Sequence, residues 1–400
     1  MNKSLLPILL VATGFLAFTL FLNFIGSFNP EKTALTTPKT SKAALKSSKD
    51  SVAFDKEANT IAQLLAAMPI SDTNQTKMAE NPIVKSHNQE FNKGWKSLET
   101  NKLQKMRVWR DEELSNFNRT SHNLFYPFSG PDFLNAYELF PNCENYVLIG
   151  LEKVGELPKL SDLKGTYLQN YLANTRLALS EIFQRNYFIT VRMSGAFNTN
   201  LKGILPILAV FLARTDNQII KIQKVFLEKS NKPTYTSMSY QSKYNLVWGV
   251  CIEFKNKNYS NVQKLYYFGI DLADGAWATK PELKNFIQSF SNKITFIKSA
   301  SYLLHTGNFT KVRDFIVSDT QASIQDDTGV PYKYFNKAGW SVRLYGKYAK
   351  PIRDFNYGYQ PDLAQKFAQD KDIKPINFTF GYHWWTDKSS IIIAEKPEKK

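Results

Sequence analysis

Adjacent carboxylates give the sharpest chemical signal in this 400-residue chain. Asp326 and Asp327 stand in SDTQASIQDDTGVPYKY, Ser318 to Tyr334, just ahead of Gly329 and Pro331. Like charges side by side raise the pKa of one of them unless a cation or hydrogen-bond donors intervene. Such a pair in a constrained loop therefore suits acid/base work or a hard metal ion, with a solvated turn as the plain alternative. His305 lies 21 residues before Asp326 and completes the catalytic candidates, provided the fold brings it near. The other histidines, His87, His122 and His383, show no HExxH or similar pairing, which argues against a transition-metal centre. No motif specifies a cofactor.

A second group could line a ligand site. In YPFSGPDF, Tyr126 to Phe133, the residues Pro127, Gly130 and Pro131 fix a tight turn. Asp132 is placed to cap the helix that follows, and Ser129 and Asp132 together could line a pocket at a strand end. A nucleophilic serine would want a GxSxG elbow, which Ser129 lacks. Tyr332 follows the Asp pair. Tyr382, His383, Trp384 and Trp385 form an aromatic run with polar edges, able to stack on sugar rings or to form a half-buried corner. Glu152 ends an apolar run as the ribose-binding acid of nucleotide folds does, but no G-x-G-x-x-G precedes it. DLADG, Asp271 to Gly275, lacks the remaining oxygen ligands of a calcium loop and reads as a turn.

The elements that must position these residues alternate along the chain. Residues 55–68 suit a short amphipathic helix, and the spacing of Phe91, Trp95, Leu98, Met106, Trp109, Leu114 and Phe117 predicts helical structure over 85–117. Strands are predicted at 124–128, 146–151, 187–193, 219–226, 246–254, 265–271, 294–297, 341–345, 376–380 and 390–394. Helices are predicted at 133–140, 163–185, 201–213, 282–290, 311–317 and 362–368. This texture gives an α+β or mixed α/β body with a mixed sheet over 121–394, possibly two subdomains split near 216, behind a helical segment 85–120 and ahead of a tail 395–400.

Composition bounds the rest. With 43% hydrophobic and 14% aromatic residues the chain buries a sizeable core, and wholesale disorder is excluded. A multi-pass membrane protein is excluded by a mean hydropathy of −0.34. Residues 5–25, LLPILLVATGFLAFTLFLNFI, are the single span-length apolar run, uncharged and preceded by Lys3. Without an A-x-A-like site they favour an uncleaved anchor over a cleaved signal peptide. The Pro/Ser/Thr/Lys-rich stretch 29–51 reads as a tether within a linker assigned to 29–84 that also holds the short helix. A large body behind such a segment belongs outside the cytoplasm, in the periplasm or an equivalent space, and would be secreted if the segment were cleaved.

The formal charge is +16, and residues 55–394 keep 42 basic against 31 acidic residues. A body this basic attracts polyanions. The absence of a Lys/Arg block or a recognition motif argues against nucleic acid. Cys143 and Cys251 cannot make a zinc site; they either pair in an exported body or stay as buried thiols.

YPFSGPDF with YVLIGLE behind it, and SYLLHTGNFTKVRDFIVSDTQASIQDDTGVPYKYF with LYGKYAKPIRDF and FTFGYHWW behind it, resemble a family of exported, membrane-anchored bacterial proteins to which no activity is assigned. The resemblance spans 124–394 and implies an envelope-facing bacterial protein. Two function classes follow from the whole reading. The first is a tethered envelope protein that binds or organises an anionic or carbohydrate ligand. The alternative is a hydrolase or metal-assisted enzyme built on Asp326, Asp327 and His305.

Overall fold

In a computed structural model, residues 53–185, 187–188, 201–229, 232–242, 244, 246–258 and 261–397 are described. The expected anchor at 5–25, the tether at 29–51 and most of the strand expected at 187–193 lie outside them. Among the described residues no helix is long and apolar enough to cross a membrane.

Among the described residues, thirteen α-helices and ten strands follow in order: α1 (Lys56–Leu65), α2 (Thr76–Glu80), α3 (Pro82–Leu98), α4 (Gln104–Glu113), α5 (Ser115–Thr120), β1 (Asn123–Tyr126), α6 (Phe133–Leu139), β2 (Asn145–Gly150), α7 (Gly165–Arg185), α8 (Leu205–Arg214), β3 (Asn217–Leu227), β4 (Pro233–Thr236), β5 (Val247–Asn256), β6 (Gln263–Gly269), α9 (Asp274–Ala278), α10 (Pro281–Gln288), β7 (Lys293–Ile297), α11 (Thr310–Asp319), β8 (Ala322–Gln325), α12 (Tyr332–Lys337), β9 (Ser341–Gly346), α13 (Pro361–Gln369) and β10 (Ser390–Glu395). A π-helical stretch, Glu99–Leu103, joins α3 to α4.

The body is mixed α/β, and its strands form one mixed sheet in the order β4-β3-β5-β6-β2-β1-β7-β8-β10-β9. The five central strands, β6, β2, β1, β7 and β8, run parallel. Antiparallel strands flank them on both sides: β5, β3 and β4 beyond β6, and β10 and β9 beyond β8. Strands β1, β7 and β8 are buried along their whole length, as expected where helices cover both faces of a parallel sheet. Tyr126 and Phe296 pack on one face, 4.6 Å between ring centroids, and Phe125 meets Phe315 of α11 on the other at 6.0 Å. Helix α8, LPILAVFLAR, has nine of its ten residues buried, the pattern of a helix apolar all round and enclosed by its neighbours.

Three boundaries differ from the sequence reading. The linker assigned to 29–84 ends early, because Asp55 caps α1 by accepting from Ala58 N, and Asn59 docks on β3 by exchanging two 2.8 Å hydrogen bonds with the Ile219 backbone. Ile61, Leu64 and Leu65 then enter the main core, so everything from Phe54 belongs to one compact unit. The same unit spans 216, where the continuous sheet leaves no subdomain seam. Residues 376–380 form no strand, although Phe378 and Phe380 are buried; the nearby backbone makes one isolated bridge, Lys374 with Tyr345. Both cysteines are buried and free, and burial raises both thiols, Cys251 to about 12.

Candidate functional site at the carboxyl ends of the parallel strands

The chain leaves β1 towards β2 on one side and later crosses to β7 on the other. This strand-order reversal lies where open α/β sheets place their ligand crevice, beyond the carboxyl ends of the strands. Three loops meet there: Pro127–Asp132 after β1, Lys298–Tyr302 after β7, and Asp326–Gly329 after β8. The sequence marks the first and third by their turn residues. The fold brings them together through the second.

Asp132 is both a cap and a junction. Its Oδ1 accepts from Asn135 N at 3.3 Å, the capping bond expected for α6, and from Asn135 Nδ2 at 2.7 Å. Its Oδ2 accepts from Tyr126 Oη at 3.0 Å and pairs with Lys298 Nζ at 3.1 Å; the two charged side chains are 3% and 1% exposed. Lys102, turned inward by the π-helical stretch, donates to Asn135 Oδ1 at 2.8 Å. Burial, then the neighbouring Lys298 charge, pushes the Lys102 ammonium well below its ordinary range. Ser129 Oγ donates to the carbonyls of Ile149 at 3.1 Å and Gly130 at 2.9 Å, tying the β1 loop to the end of β2. The Ser129 hydroxyl is thus spent on backbone.

The Asp pair is buried, not solvated: Asp326 is 1% exposed and Asp327 6%. Asp326 Oδ1 accepts from Thr328 N at 3.0 Å and from the Thr328 hydroxyl, and its Oδ2 accepts from Ser299 N at 2.8 Å. Asp327 Oδ2 accepts from Tyr302 Oη at 2.5 Å. Burial raises both carboxyls. Asp327 reaches about 7 because the Asp326 charge adds to the desolvation, whereas hydrogen bonds from Thr328 and Ser299 oppose the rise at Asp326. Gly381 closes over the pair: its φ is +70°, and a Cβ there would stand 2.5 Å from Asp326 Oδ2.

His305 does approach the Asp loop, but through backbone. Its ring faces the carbonyls of Asp327 and Gly329 and meets Tyr302 edge-on at 5.0 Å. Burial lowers its pKa to about 4, so the imidazole is neutral at pH 7, and its Nε2 is enclosed without a hydrogen-bond partner. Among the described residues no three His, Cys, Asp or Glu side chains gather as a metal site.

The aromatic run sits over the same loops. Tyr382 Oη donates to Ser299 O at 2.8 Å and accepts from Ser301 N at 3.1 Å. It holds a loop in which Ser299, Ser301 and Tyr302 all have φ between +51° and +53°. Three left-handed conformations within four residues, none of them glycine, are costly and persist only where the surroundings over-determine them. Tyr302, Tyr382 and Phe355 pack together, with Trp384 against them. Outside this inner group stand Trp385, 54% exposed, and Tyr357, 53% exposed, whose Oη donates to Ser301 O at 3.0 Å. His383 is half-buried, 6.1 Å from the Trp385 ring. Arg185 lies 5.6 Å over Trp384, and Lys350 lies 5.9 Å over Tyr359.

Tyr332 is not part of this surface: its ring packs with Leu344, Leu363 and Ile392, and its backbone N donates to Gln360 Oε1 at 2.8 Å. Gln360 escaped the sequence reading, yet its Nε2 donates to Asp327 O at 3.0 Å and so links the Asp loop to α12 and α13. Lys298 and Lys102 were missed too; the one signal for Lys298 is a lysine directly after the apolar strand ITFI. Compared with protein-family models, curated proteins and solved structures, the chain matches none.

Proposed function

We propose that this chain is an envelope protein, anchored in a membrane by residues 5–25, whose body binds an acidic glycan outside the cytoplasm. The resemblance to exported bacterial proteins supports the location. The observation that carries the ligand is the exposed rings Tyr357, set against Tyr302 and Phe355, and Trp385, set against the half-buried Trp384, which packs on the aromatic cluster tied to the strand-end loops. Rings fixed in this way stack on sugar faces at little cost in side-chain ordering, and the basic body supplies long-range attraction to carboxylated polymers. The full-length protein in mild detergent, titrated calorimetrically with alginate, is expected to bind it and to bind neutral dextran far more weakly. Replacing both Tyr357 and Trp385 by Ala is expected to weaken binding about tenfold or more. Equal binding of both polymers, or unchanged binding by the double variant, would sink the reading.

Hydrolysis by the Asp pair is the second reading, and it draws on one observation, a carboxyl at Asp327 held near neutral pH by burial and Asp326. Substrate would have to displace Tyr302 to reach it. Turnover of alginate or another glycan that disappears in Asp327→Asn would establish it.

A further inference from the structure

At the far end of the sheet, Phe226 of β3 pairs with Trp248 of β5, so Lys224, Phe226 and Trp248 share one face. The segment after β4 folds back over them. Tyr240 meets Phe226 edge-on at 5.7 Å, and Lys224 Nζ donates to Tyr240 O at 2.7 Å while standing 5.5 Å from the Trp248 ring centroid. They line a cavity of about 230 Å³ that is open to solvent, with Gln241 and Tyr244 also in its wall. Trp248 is 42% exposed and Tyr244 76%. Drug-sized pockets begin near roughly 300 Å³, so this one has room for a single ring and not for a folded chain. Because β5 runs antiparallel to β6, the start of β5 lies at the same end of the sheet as the carboxyl ends of β6, β2 and β1.

We propose that this cavity is a subsite for one hexuronic acid residue, its ring stacked on Trp248 and its carboxylate paired with Lys224. The chemistry of the wall selects that class. A part-exposed indole with an ammonium 5.5 Å over its ring matches an aliphatic ring that carries one negative charge, and Lys224 has two further N–H donors beyond the bond to Tyr240. The Gln241 amide offers both a donor and an acceptor to ring hydroxyls. Among the described residues of the wall Lys224 is the one charged group, which matches a ring carrying a single negative charge. The subsite stands on its own geometry; it rests on the glycan reading only in taking the ring to belong to a polymer.

The full-length protein is to be titrated with an oligoglucuronate and with a neutral glucan oligomer of the same length, beside Trp248→Ala, Lys224→Gln and Trp385→Ala. The expected result is oligoglucuronate binding weakened about tenfold or more in Trp248→Ala and Lys224→Gln, the scale of a charge-assisted hydrogen bond, with the neutral oligomer as weak on the parent as the acid is on Lys224→Gln. Quenching of indole fluorescence by oligoglucuronate should shrink in Trp248→Phe, which keeps an aromatic ring and guards against misfolding of the Ala variant. Equal affinity for the neutral oligomer overturns the charge selection. Binding that is lost in Trp385→Ala and unchanged in Trp248→Ala overturns the subsite and leaves the glycan reading standing, and the converse pattern does the reverse. No binding of either oligomer overturns the subsite.

Discussion

The loops at β1, β7 and β8 and the cavity at β3 and β5 lie along one end of the same sheet, yet their polar groups serve opposite ends. At the strand-order reversal the carboxylates of Asp132, Asp326 and Asp327 are each held by named donors, and the cations are enclosed with them. At the β3–β5 cavity the Trp248, Tyr240 and Tyr244 rings are exposed over a buried Phe226, and Lys224, the one cation among the described residues of the wall, keeps donors in reserve. The parallel strands are covered on both faces, so any charge at their ends must be satisfied internally. The antiparallel flank leaves a face partly open. Charged residues that look chemical in the sequence are buried and hydrogen-bonded here, and in the proposed function recognition falls to the aromatics around them.

The largest effect expected from breaking this contrast is at Lys298. Lys298→Met removes the ion-pair partner of the buried Asp132 and should cost about 3–5 kcal/mol in denaturant unfolding, whereas Lys224→Gln at the open cavity should change stability by less than about 0.5 kcal/mol. A similar loss for both would erase the distinction. Next is Gly381→Ala, which places a Cβ against Asp326 in a left-handed backbone and should cost about 1–3 kcal/mol. A neutral outcome would mean the Asp loop yields easily. Smaller still is Asp274→Ala. Asp274 does not belong to a plain turn: it accepts from Lys311 N at 2.8 Å and from the Thr310 hydroxyl, fastening the start of α11, so its loss should cost about 1 kcal/mol by thermal unfolding.

The Asp pair also gives a pH signature. Asp327 holds its proton up to about pH 7 when folded but only to about pH 4 when unfolded. The folded state therefore binds more protons between these values, and this contribution to stability is full below pH 4 and lost as pH rises to 7. His305 and His87, each lowered to about 4 by burial, act oppositely: their contribution is present above about pH 6.5 and lost as pH falls towards 4. Asp327→Asn should therefore gain stability relative to the parent as pH rises from 4 to 7. Parallel curves for the two proteins would mean that Asp327 is ionised in the fold like an ordinary carboxylate.

Much of the fold was legible because periodicity and punctuation agree with the core. Asp132 capping α6 and the apolar runs of β1, β2, β5 and β7 could be read within a few residues. Strand β8, ASIQ, was missed because two polar residues, Ser323 and Gln325, are buried in it by hydrogen bonding to each other. Strand β4 carries a proline and lies at a sheet edge, which hides its pattern. At the site, the residue types of the Asp pair and the aromatic run were visible, but their partners were not. Tyr302 and Gln360 reach the Asp pair, and Lys298 reaches Asp132, from other elements through contacts that sequence spacing does not encode. The cavity at Trp248 is likewise made by pairing β3 with β5, and neither strand announces it alone.

The central claim is that recognition lies on the outer aromatics and that the Asp pair only supports them. It is tested most directly by calorimetric titration of alginate into the full-length parent, Asp327→Asn, and the Tyr357→Ala/Trp385→Ala double variant at one pH. The account predicts binding by the parent and by Asp327→Asn with affinities within about threefold, a difference of about 0.65 kcal/mol, and binding weakened about tenfold or more in the double variant. Binding that is lost in Asp327→Asn and retained by the double variant would contradict it and return the carboxylates to the centre of the chemistry.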